Sequence, residues 1–311
     1  MPARISLLLP TRGRPRLVQR FLDSVAAHSR CVSDVEVVLH IDEDDVASHT
    51  IDHSHIPLVK LIEPFRSMGA CNTACFVRAS GEVIILMNDD VIIRTPGWDE
   101  ALLAYHASVG DQIYLAYGND LFKGKRVCSF PILSRRTCRL LGEPFPARYR
   151  GGLIDYHLLD VFKRLDQLGH ARIRYFPNLI FEHTHYRTGK LPFDETYARR
   201  ERFGDDWTFI ALRDQRRLAA RTLAAAISGE DVHETQRSTP GSQESNGSLA
   251  RDVATFGRMF LLDDMLPIAW RAFLFYWFVG RRLAVRFGFA GPAAAARRRA
   301  GRSRPDVTVV R

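Results

Sequence analysis

The sequence predicts an α/β fold: a mostly parallel central sheet with flanking helices, followed by a helical C-terminal extension. Over the first 190 residues, apolar runs of strand length alternate with segments of helical periodicity, as in parallel sheets with covering helices. The run at residues 83–87 is apolar without a break, so we expect a strand buried on both faces. Beyond residue 192 the pattern becomes helical and rich in Arg and Ala.

Each element follows from its own periodicity. Residues 4–9 form an apolar run, and residues 14–28 place Leu17, Phe21 and Val25 on one helical face. The same criteria predict further helices at 67–79 and 156–168, and further strands at 35–41, 58–62, 83–87, 113–117, 127–133, 173–176 and 179–181.

The chain divides at a polar segment. Residues 229–249 contain almost no large apolar side chains, so we expect a disordered linker. It follows a domain of residues 1–228, whose core sheet occupies about residues 4–190. After it we expect an amphipathic, aromatic-rich helical segment at 250–290 and a basic disordered tail at 291–311.

The charge distribution excludes some partners. The net charge is +9, but residues 281–311 hold nine arginines and one aspartate, so the preceding chain is nearly neutral. A nearly neutral body argues against a nucleic-acid partner. The five cysteines show no paired spacing, which indicates neither disulfides nor a zinc site. With no signal-peptide pattern at the N-terminus, the expected location is the cytoplasm.

The aromatic-rich segment predicts a membrane contact. Its uninterrupted apolar run, residues 272–279, is far shorter than the roughly 20 residues of a spanning helix. Tryptophan and tyrosine favour the interface, and the arginines that follow would attract anionic lipid. We expect it to lie on an anionic membrane surface, peripherally at the inner face of the plasma membrane. The alternative is a helix that packs on the preceding domain or on a second subunit.

The strand at residues 83–87 leads directly into Asn88, Asp89 and Asp90. Open α/β sheets bind ligands at the carboxyl ends of their strands. Adjacent carboxylates there repel each other unless a cation lies between them, and hard divalent ions prefer oxygen ligands. The pattern predicts Mg²⁺ or Mn²⁺ holding a diphosphate. The alternative is a solvated turn with helix-capping acids.

Two further segments reach the same edge. Asp42 follows the second strand and is placed to accept hydrogen bonds from a nucleobase or ribose. The first loop brings Pro10, Thr11, Arg12 and Arg14 to this edge, and the guanidinium groups of the two arginines suit phosphate. A helix-capping turn that begins at Thr11 explains this loop almost as well.

Taken together, residues 4–190 resemble family 2 glycosyltransferases of the GT-A fold, which is Rossmann-like. The features that carry the resemblance, in order, are residues 5–14, Asp42, Arg66-x-x-Gly69-Ala70-x-Asn72, Gly81-Glu82-Val83, Asn88-Asp89-Asp90 and Gly97-Trp98-Asp99.

The resemblance implies a donor site. The acids after the fourth strand correspond to the Asp-x-Asp motif, which binds a divalent cation (Mn²⁺ or Mg²⁺) and the diphosphate of a UDP- or GDP-type sugar donor. Asp90 matches the final Asp of the motif, and Asn88 replaces the first, so the metal is expected to be held through Asp90 with help from Asp89, or to be held more weakly. Asp42 matches the base-binding acid. The donor-binding set expected from the loop and the resemblance is Pro10, Thr11, Arg12, Arg14, Asp42, Arg66, Asn72, Asn88 and Asp89.

His183 resembles the metal-binding histidine of the family. It follows a predicted strand, and neutral imidazole is a good Mn²⁺ ligand beside carboxylates. The expected metal ligands are therefore Asp90, Asn88 and His183, with His185 as a second choice to His183. The alternative for His183 is a buried structural role.

The expected catalytic base is Asp155, with Asp160 in reserve. Residues 151–160 resemble the family's Glu-Asp-x-Asp region, where Asp160 matches the last acid but Leu158 occupies the usual catalytic position. Asp155, near the predicted helix start, is the base we favour, and helix capping is its alternative role.

The predicted activity is metal-dependent transfer of a sugar from a nucleotide-sugar donor to a saccharide or lipid-linked acceptor, with inversion, in cell-envelope polysaccharide or glycolipid synthesis. One alternative is a nucleotidyltransferase, although no Gly-rich phosphate loop supports it. Another is a membrane-recruited binding or scaffold protein of transferase ancestry, suggested by Asn88 and Leu158.

Overall fold

The computed structural model describes residues 3–199, 202–232 and 247–288. Eight strands form one sheet in the order β3-β2-β1-β4-β7-β6-β8-β5. The strands are β1 (Ile5–Thr11), β2 (Val35–Asp42), β3 (Leu58–Glu63), β4 (Val83–Leu86), β5 (Val91–Ile93), β6 (Leu115–Asn119), β7 (Ile132–Ser134) and β8 (Ile173–His183).

The helices cover both faces of the sheet and the C-terminal region. They are α1 (Pro15–His28), α2 (Val46–His49), α3 (Met68–Arg78), α4 (Trp98–Ser108), α5 (Arg135–Leu141), α6 (Ile154–Gln167), α7 (Glu195–Arg199), α8 (Asp206–Ala211), α9 (Arg213–Ile227), α10 (Leu249–Phe256) and α11 (Ile268–Arg286). A π-helical turn, Gly257–Leu261, extends α10.

The centre of the sheet is parallel, as predicted. β1 lies between β2 and β4 and runs parallel to both. Alternate residues face opposite sides: Leu8 and Ile84 enter one core, and Leu7 and Ile85 enter the other. The side chains of both sets are essentially inaccessible to solvent, which explains the unbroken apolar run. The predicted α/β class is confirmed.

The far half of the sheet is mixed. β7 is antiparallel to β4 and β6, and β5 is antiparallel to β8. The two strands predicted at 173–176 and 179–181 form one strand, β8. Its first part pairs with β6 and its end pairs with β5, with an irregularity opposite Gly118 and Asn119. This arrangement brings the end of β8 to the acids after β4.

Helix α4 was not predicted from periodicity. Gly97, at φ 68°, provides the left-handed residue before it. Trp98 is fully buried, and the Asp99 carboxylate accepts hydrogen bonds from the backbone N–H groups of Arg30 and Cys31, each at 2.8 Å. The Gly-Trp-Asp segment therefore joins α4 to the end of α1.

The C-terminal helices pack on the preceding domain. Phe256, Phe260, Leu274 and Phe278 are buried in the core that also contains residues of α6 and α9. This is the alternative placement considered for the aromatic segment. Several apolar side chains of the same segment nevertheless stay exposed: Leu261, Leu262, Ile268, Phe273, Tyr276, Val285 and Phe287.

Part of the predicted organisation lies outside the described residues. This applies to residues 233–246 of the expected linker and to the expected tail at 291–311. Among the helices that the structure describes, none is both long enough and apolar enough to cross a membrane.

A buried ion-pair centre ties the C-terminal region to the domain. Asp160 of α6 accepts hydrogen bonds from Arg164, Arg216 and Trp270, at 2.8, 2.6 and 2.9 Å. Asp263, in the turn before α11, pairs with Arg164 at 2.8 Å. Arg213 and Arg217 of α9 also bind Asp263, at 2.9 and 2.6 Å. Removing one charge would leave its partners buried and uncompensated.

Asp160→Asn is expected to destabilise the protein by about 3 kcal/mol or more at neutral pH, because two buried guanidinium groups lose their shared counter-ion. Burial opposes ionisation of Asp160, but Arg164 and Arg216 lower its pKa from 3.8 to about 2. A carboxyl whose pKa is lowered on folding stabilises the folded state above its unfolded pKa, and this contribution disappears as the pH falls through the folded pKa. The difference in the free energy of unfolding between wild type and Asp160→Asn should therefore become smaller as the pH falls from about 4 to 2.

Urea denaturation of both proteins across this pH range measures the effect. Asp166→Asn is the control, because Asp166 is an exposed acid of the same helix, and its effect should stay within about 0.5 kcal/mol. An Asp160→Asn protein as stable as the control variant at neutral pH would contradict the role of the centre.

Candidate active site

The carboxyl ends of β1, β2 and β4 meet at one edge of the sheet. Two hydrogen bonds join β1 to the end of β4 and the acids that follow it. The backbone N–H of Met87 donates to the carbonyl of Leu8 at 2.9 Å. Closer to the end of β1, the Thr11 hydroxyl donates to Oδ2 of Asp89, also at 2.9 Å. The first loop and the acidic turn are therefore in direct contact, as the sequence predicted.

Asp90 and His183 are brought together by strand pairing. Val91 of β5 is in register with His183 of β8, so Asp90, the residue before Val91, lies beside His183. Nε2 of His183 is 3.3 Å from Oδ1 of Asp90. Neither ring nitrogen of His183 has a hydrogen-bond partner among the described residues, although the ring is buried. A buried imidazole of this kind needs another partner.

This pair fits a divalent cation. Two neighbouring ligands of one octahedral ion stand about 3 Å apart when the bonds are about 2.1 Å long. A carboxylate oxygen with an imidazole nitrogen suits Mn²⁺. The described residues contain no group of three or more His, Cys, Asp or Glu side chains arranged for a metal. Oxygen atoms of a ligand or water would have to complete the coordination.

The other two candidate ligands differ from this pair. Asn88 is partly exposed at the same turn. His185 caps a helical turn, where its Nδ1 accepts a hydrogen bond from the Arg187 N–H at 3.1 Å. Its ring stacks on Phe122 with centroids 5.9 Å apart. The geometry thus favours His183 over His185.

Arg14 is buried between two carboxylates. Its guanidinium donates to Asp89 at 2.9 Å and to both oxygens of Asp194, at 2.8 and 2.7 Å. Burial lowers the pKa of Arg14, but the two carboxylates outweigh this and raise it. Burial also raises the pKa of Asp89, an effect that the charge of Arg14 opposes.

Sequence reasoning missed the segment that closes this edge. The Tyr197 hydroxyl donates to Oδ2 of Asp90 at 2.6 Å, and the Tyr197 ring lies 4.2 Å from the guanidinium carbon of Arg14. Asp194 and Tyr197 stand in a stretch whose sequence showed only a helical pattern. Asp194 reaches Arg14 and Tyr197 reaches Asp90 because the chain folds back over the sheet edge after β8.

The base-binding candidate Asp42 is paired within the chain. Arg12 donates to Oδ2 of Asp42 at 2.6 Å and also binds both oxygens of Asp44. Pro10 precedes this loop in β1, opposite His40 of β2. The structure therefore pairs Arg12 with Asp42 and Asp44, a contact that the sequence analysis, which expected Arg12 to meet phosphate, did not anticipate.

Arg66 and Asn72 belong to the α3 region. Arg66 lies just before α3 with its guanidinium 3.4 Å from Glu63 of β3. Asn72 is buried within α3 and donates to the Met68 carbonyl at 2.9 Å. The contacts of these two side chains do not include Asp89 or Asp90 among the described residues.

Asp155 lies in the first turn of α6 but does not cap it. The N-cap position is occupied by Leu153, which adopts a left-handed conformation at φ 64°. Asp155 is therefore not the N-cap residue, although its Oδ1 accepts a hydrogen bond from the Tyr156 N–H of the same turn at 2.9 Å. Its side chain is 19% exposed, and its Oδ2 is 3.4 Å from Nζ of Lys123. Its carboxylate is therefore partly accessible to solvent.

Lys123 connects Asp155 to the histidine side of the site. The loop that contains it is fixed by Asp120, whose Oδ1 accepts three backbone N–H groups, from Phe122, Lys123 and Gly124. Burial opposes ionisation of Asp120, but the Ser129 hydroxyl and these N–H groups lower its pKa. Phe122, next to Lys123, contacts the His183 ring edge-on at 6.1 Å.

Asp160 does not meet the requirements of a base. Its carboxylate is fully buried in the ion-pair centre, where two arginines and Trp270 occupy it. A group that takes a proton from an acceptor must lie within hydrogen-bond reach of it. The structure therefore corrects the reserve assignment: the interactions of Asp160 are structural.

Comparison with known proteins shows which solved structures share this architecture. No family model and no curated protein matches the sequence. Among solved structures, the mannosyltransferase PcManGT from Pyrobaculum calidifontis, in complex with GDP-Man and Mn²⁺, has a TM-score of 0.50 and 14% identity, over 91% of this chain and 87% of that chain. TarS from S. aureus has a TM-score of 0.50 and 12% identity, over 88% of this chain and 52% of that chain.

At such identities the similarity concerns the fold. The mixed sheet with its flanking helices and the helical C-terminal region agree with it. This chain has the GT-A fold, which it shares with nucleotide-sugar-dependent glycosyltransferases.

Proposed function

We propose that this protein is a family 2 glycosyltransferase that moves a sugar from a UDP- or GDP-type donor to a saccharide or lipid-linked acceptor, with a divalent cation. The observation that carries the proposal is the contact between Asp90 and His183, 3.3 Å apart at the carboxyl end of β4. A neighbour of the same fold was solved with GDP-Man and Mn²⁺, which supports this assignment.

The donor side has residues suited to the cation, the diphosphate and the nucleoside of a nucleotide sugar. Asp90 and His183 would hold the cation, and Asn88 is near enough along the turn to assist. When bound, the cation would neutralise the charge that develops on the leaving diphosphate. Arg14 supplies a buried guanidinium that is suited to phosphate oxygens. Asp42, held by Arg12, would accept hydrogen bonds from the base or ribose.

The acceptor side depends on Asp155. A carboxylate on the face opposite the diphosphate takes the proton of the acceptor hydroxyl while that hydroxyl attacks the anomeric carbon. This single displacement inverts the anomeric configuration. Asp155 suits the task better than Asp160 because its side chain is partly exposed.

The donor assignment is tested by hydrolysis and binding of a panel of UDP- and GDP-sugars with Mn²⁺, Mg²⁺ or chelator. We expect metal-dependent turnover of one donor. Asp90→Ala and His183→Ala should each lower it about 100-fold or more, because each removes one of two protein ligands from the cation. Asp111→Ala is the control, since Asp111 pairs with Arg172 at the opposite end of the sheet. Binding of no donor under any condition would instead favour the scaffold alternative.

The base assignment is tested separately. Asp155→Asn should lower the transfer rate about 100-fold or more, because the amide cannot take a proton, while the affinity for the metal and nucleoside diphosphate stays unchanged. Rates with the identified donor and calorimetric binding of its nucleoside diphosphate measure the two effects. An Asp155→Asn enzyme with full transfer activity would assign the base elsewhere.

We also propose that α11 and the turn before it rest on an anionic membrane. Leu262, Ile268, Tyr276 and Phe287 are 65–80% exposed, although they are large and apolar. Six arginines follow α11 in the sequence between residues 297 and 311. Apolar side chains next to basic residues favour binding to anionic lipid. A peripheral position at the inner face of the plasma membrane, in cell-envelope polysaccharide or glycolipid synthesis, would suit a lipid-linked acceptor.

Co-sedimentation with vesicles tests the membrane proposal. The protein should bind vesicles that contain about one-third phosphatidylglycerol and should bind phosphatidylcholine vesicles weakly, because the electrostatic attraction is lost. The double variant I268S/Y276S should reduce binding about tenfold, since two inserting side chains are removed. Val77→Ser is the control, because Val77 is equally exposed on α3. Equal binding of all three proteins would contradict this surface.

A further inference from the structure

One segment of the chain occupies the place where the proposed donor would bind. We call residues 193–198 the cover segment. Asp194 binds Arg14 through both carboxylate oxygens, at 2.8 and 2.7 Å, and Tyr197 donates to Asp90 at 2.6 Å. The Thr196 hydroxyl donates to the Arg12 carbonyl at 3.2 Å. Three side chains of the cover segment therefore hold residues of the first loop or the acidic turn.

The cover segment leaves little access to these residues. Asp90 is 2% exposed, Arg14 is 5% exposed and Asp89 is 6% exposed, while Tyr197 above them is 4% exposed. A diphosphate is a bulky polyanion that needs direct contact with its cation and its arginine. It cannot reach Asp90 or Arg14 while Tyr197 and Asp194 keep these positions.

The contact of Arg14 with Asp194 resembles a contact with phosphate. Guanidinium groups bind carboxylates and phosphates in the same two-point mode, with two parallel N–H···O hydrogen bonds. The Asp194 carboxylate thus fills the hydrogen-bonding positions that diphosphate oxygens would use. It also adds a negative charge where the negatively charged diphosphate must enter. The diphosphate and Asp194 therefore compete for Arg14.

Tyr197 adds a second point of competition. Its hydroxyl binds Oδ2 of Asp90, so it competes with a cation for one of the two oxygens of this carboxylate, while the other, Oδ1, faces His183. The same ring lies over the Arg14 guanidinium, so the positions of the two side chains depend on each other. Displacement of Asp194 from Arg14 also weakens the position of Tyr197, because Asp194 accepts a hydrogen bond from the Tyr197 N–H at 3.1 Å.

We propose that the cover segment is an internal substitute for the donor, in which Asp194 occupies the diphosphate position on Arg14 and Tyr197 holds the metal-binding carboxylate of Asp90. The metal–diphosphate unit binds by replacing both contacts. This inference rests on the proposed function and adds to it a means of keeping the donor site closed until a metal-bound nucleotide arrives.

The test is calorimetric binding of UDP, GDP, ADP and CDP to the 311-residue protein in the presence of Mn²⁺. Asp194→Asn removes the competing charge and keeps the size of the side chain, so it should tighten binding of the preferred nucleotide about tenfold. Asp111→Asn, in the carboxylate–arginine pair with Arg172, is the matched control and should leave binding unchanged. Tyr197→Phe keeps the ring over Arg14 and should tighten the binding of Mn²⁺ alone.

The outcomes separate the two proposals. Nucleotide binding to the wild type that is unchanged or weaker in Asp194→Asn would overturn the substitute role and leave the proposed function standing. Weaker Mn²⁺ binding in Tyr197→Phe would show that Tyr197 positions Asp90 for the cation, which also overturns the competition. Absence of binding of every nucleotide to wild type and variants alike would contradict both proposals.

Discussion

The candidate site depends on one antiparallel strand pairing. β5 is only three residues long, yet its pairing with the end of β8 sets Val91 opposite His183 and so places His183 beside Asp90. The N–H and the hydroxyl of Thr184 both donate to the Asp90 carbonyl at 2.8 Å, which continues the pairing by one residue. Asp90 and His183, 93 positions apart in the sequence, thus become neighbours through main-chain hydrogen bonds. Loss of this register would separate the two proposed metal ligands.

Charge compensation organises the rest of the molecule in two different ways. In the buried ion-pair centre, arginines of α6 and α9 neutralise Asp160 and Asp263 permanently, and Trp270 of α11 joins them. At the sheet edge, hydrogen bonds from Arg12, Arg14 and Tyr197 reach three acids, Asp42, Asp89 and Asp90, which we propose to lie in the donor site. The first arrangement holds the C-terminal helices on the domain. The second is suited to exchange, because incoming anions and cations can take over the same contacts.

The central fold could be predicted because its signals are local. Unbroken apolar runs identified β1, β2 and β4, and the acids after β2 and β4 predicted a ligand-binding edge. His183 was chosen from its position after a predicted strand, and the structure places it beside Asp90. The antiparallel direction of β5 and β7 could not be inferred, since direction depends on connections rather than on side-chain pattern.

Other features depend on contacts between distant residues. The sequence around Asp160 and Asp155 does not show which of them is buried in an ion pair. The difference depends on Arg216, which binds Asp160 and lies 56 residues beyond it. Tyr197 reaches Asp90 and Asp194 reaches Arg14 only because the chain returns across the edge after β8. The aromatic segment was predicted to meet a membrane, yet periodicity alone did not show that Leu274 and Phe278 face the domain while Tyr276 faces solvent.

The central claim is that Asp90 and His183 bind the same cation. Pulsed electron paramagnetic resonance of Mn²⁺, bound together with a nucleoside diphosphate, detects a directly coordinated imidazole nitrogen through its coupling to the manganese spin. We predict this nitrogen coupling in the wild-type protein and its loss in His183→Ala. A Mn²⁺ spectrum without nitrogen coupling in the wild type, or with the same coupling in the variant, would contradict the assignment of His183 and the account of the site built on it.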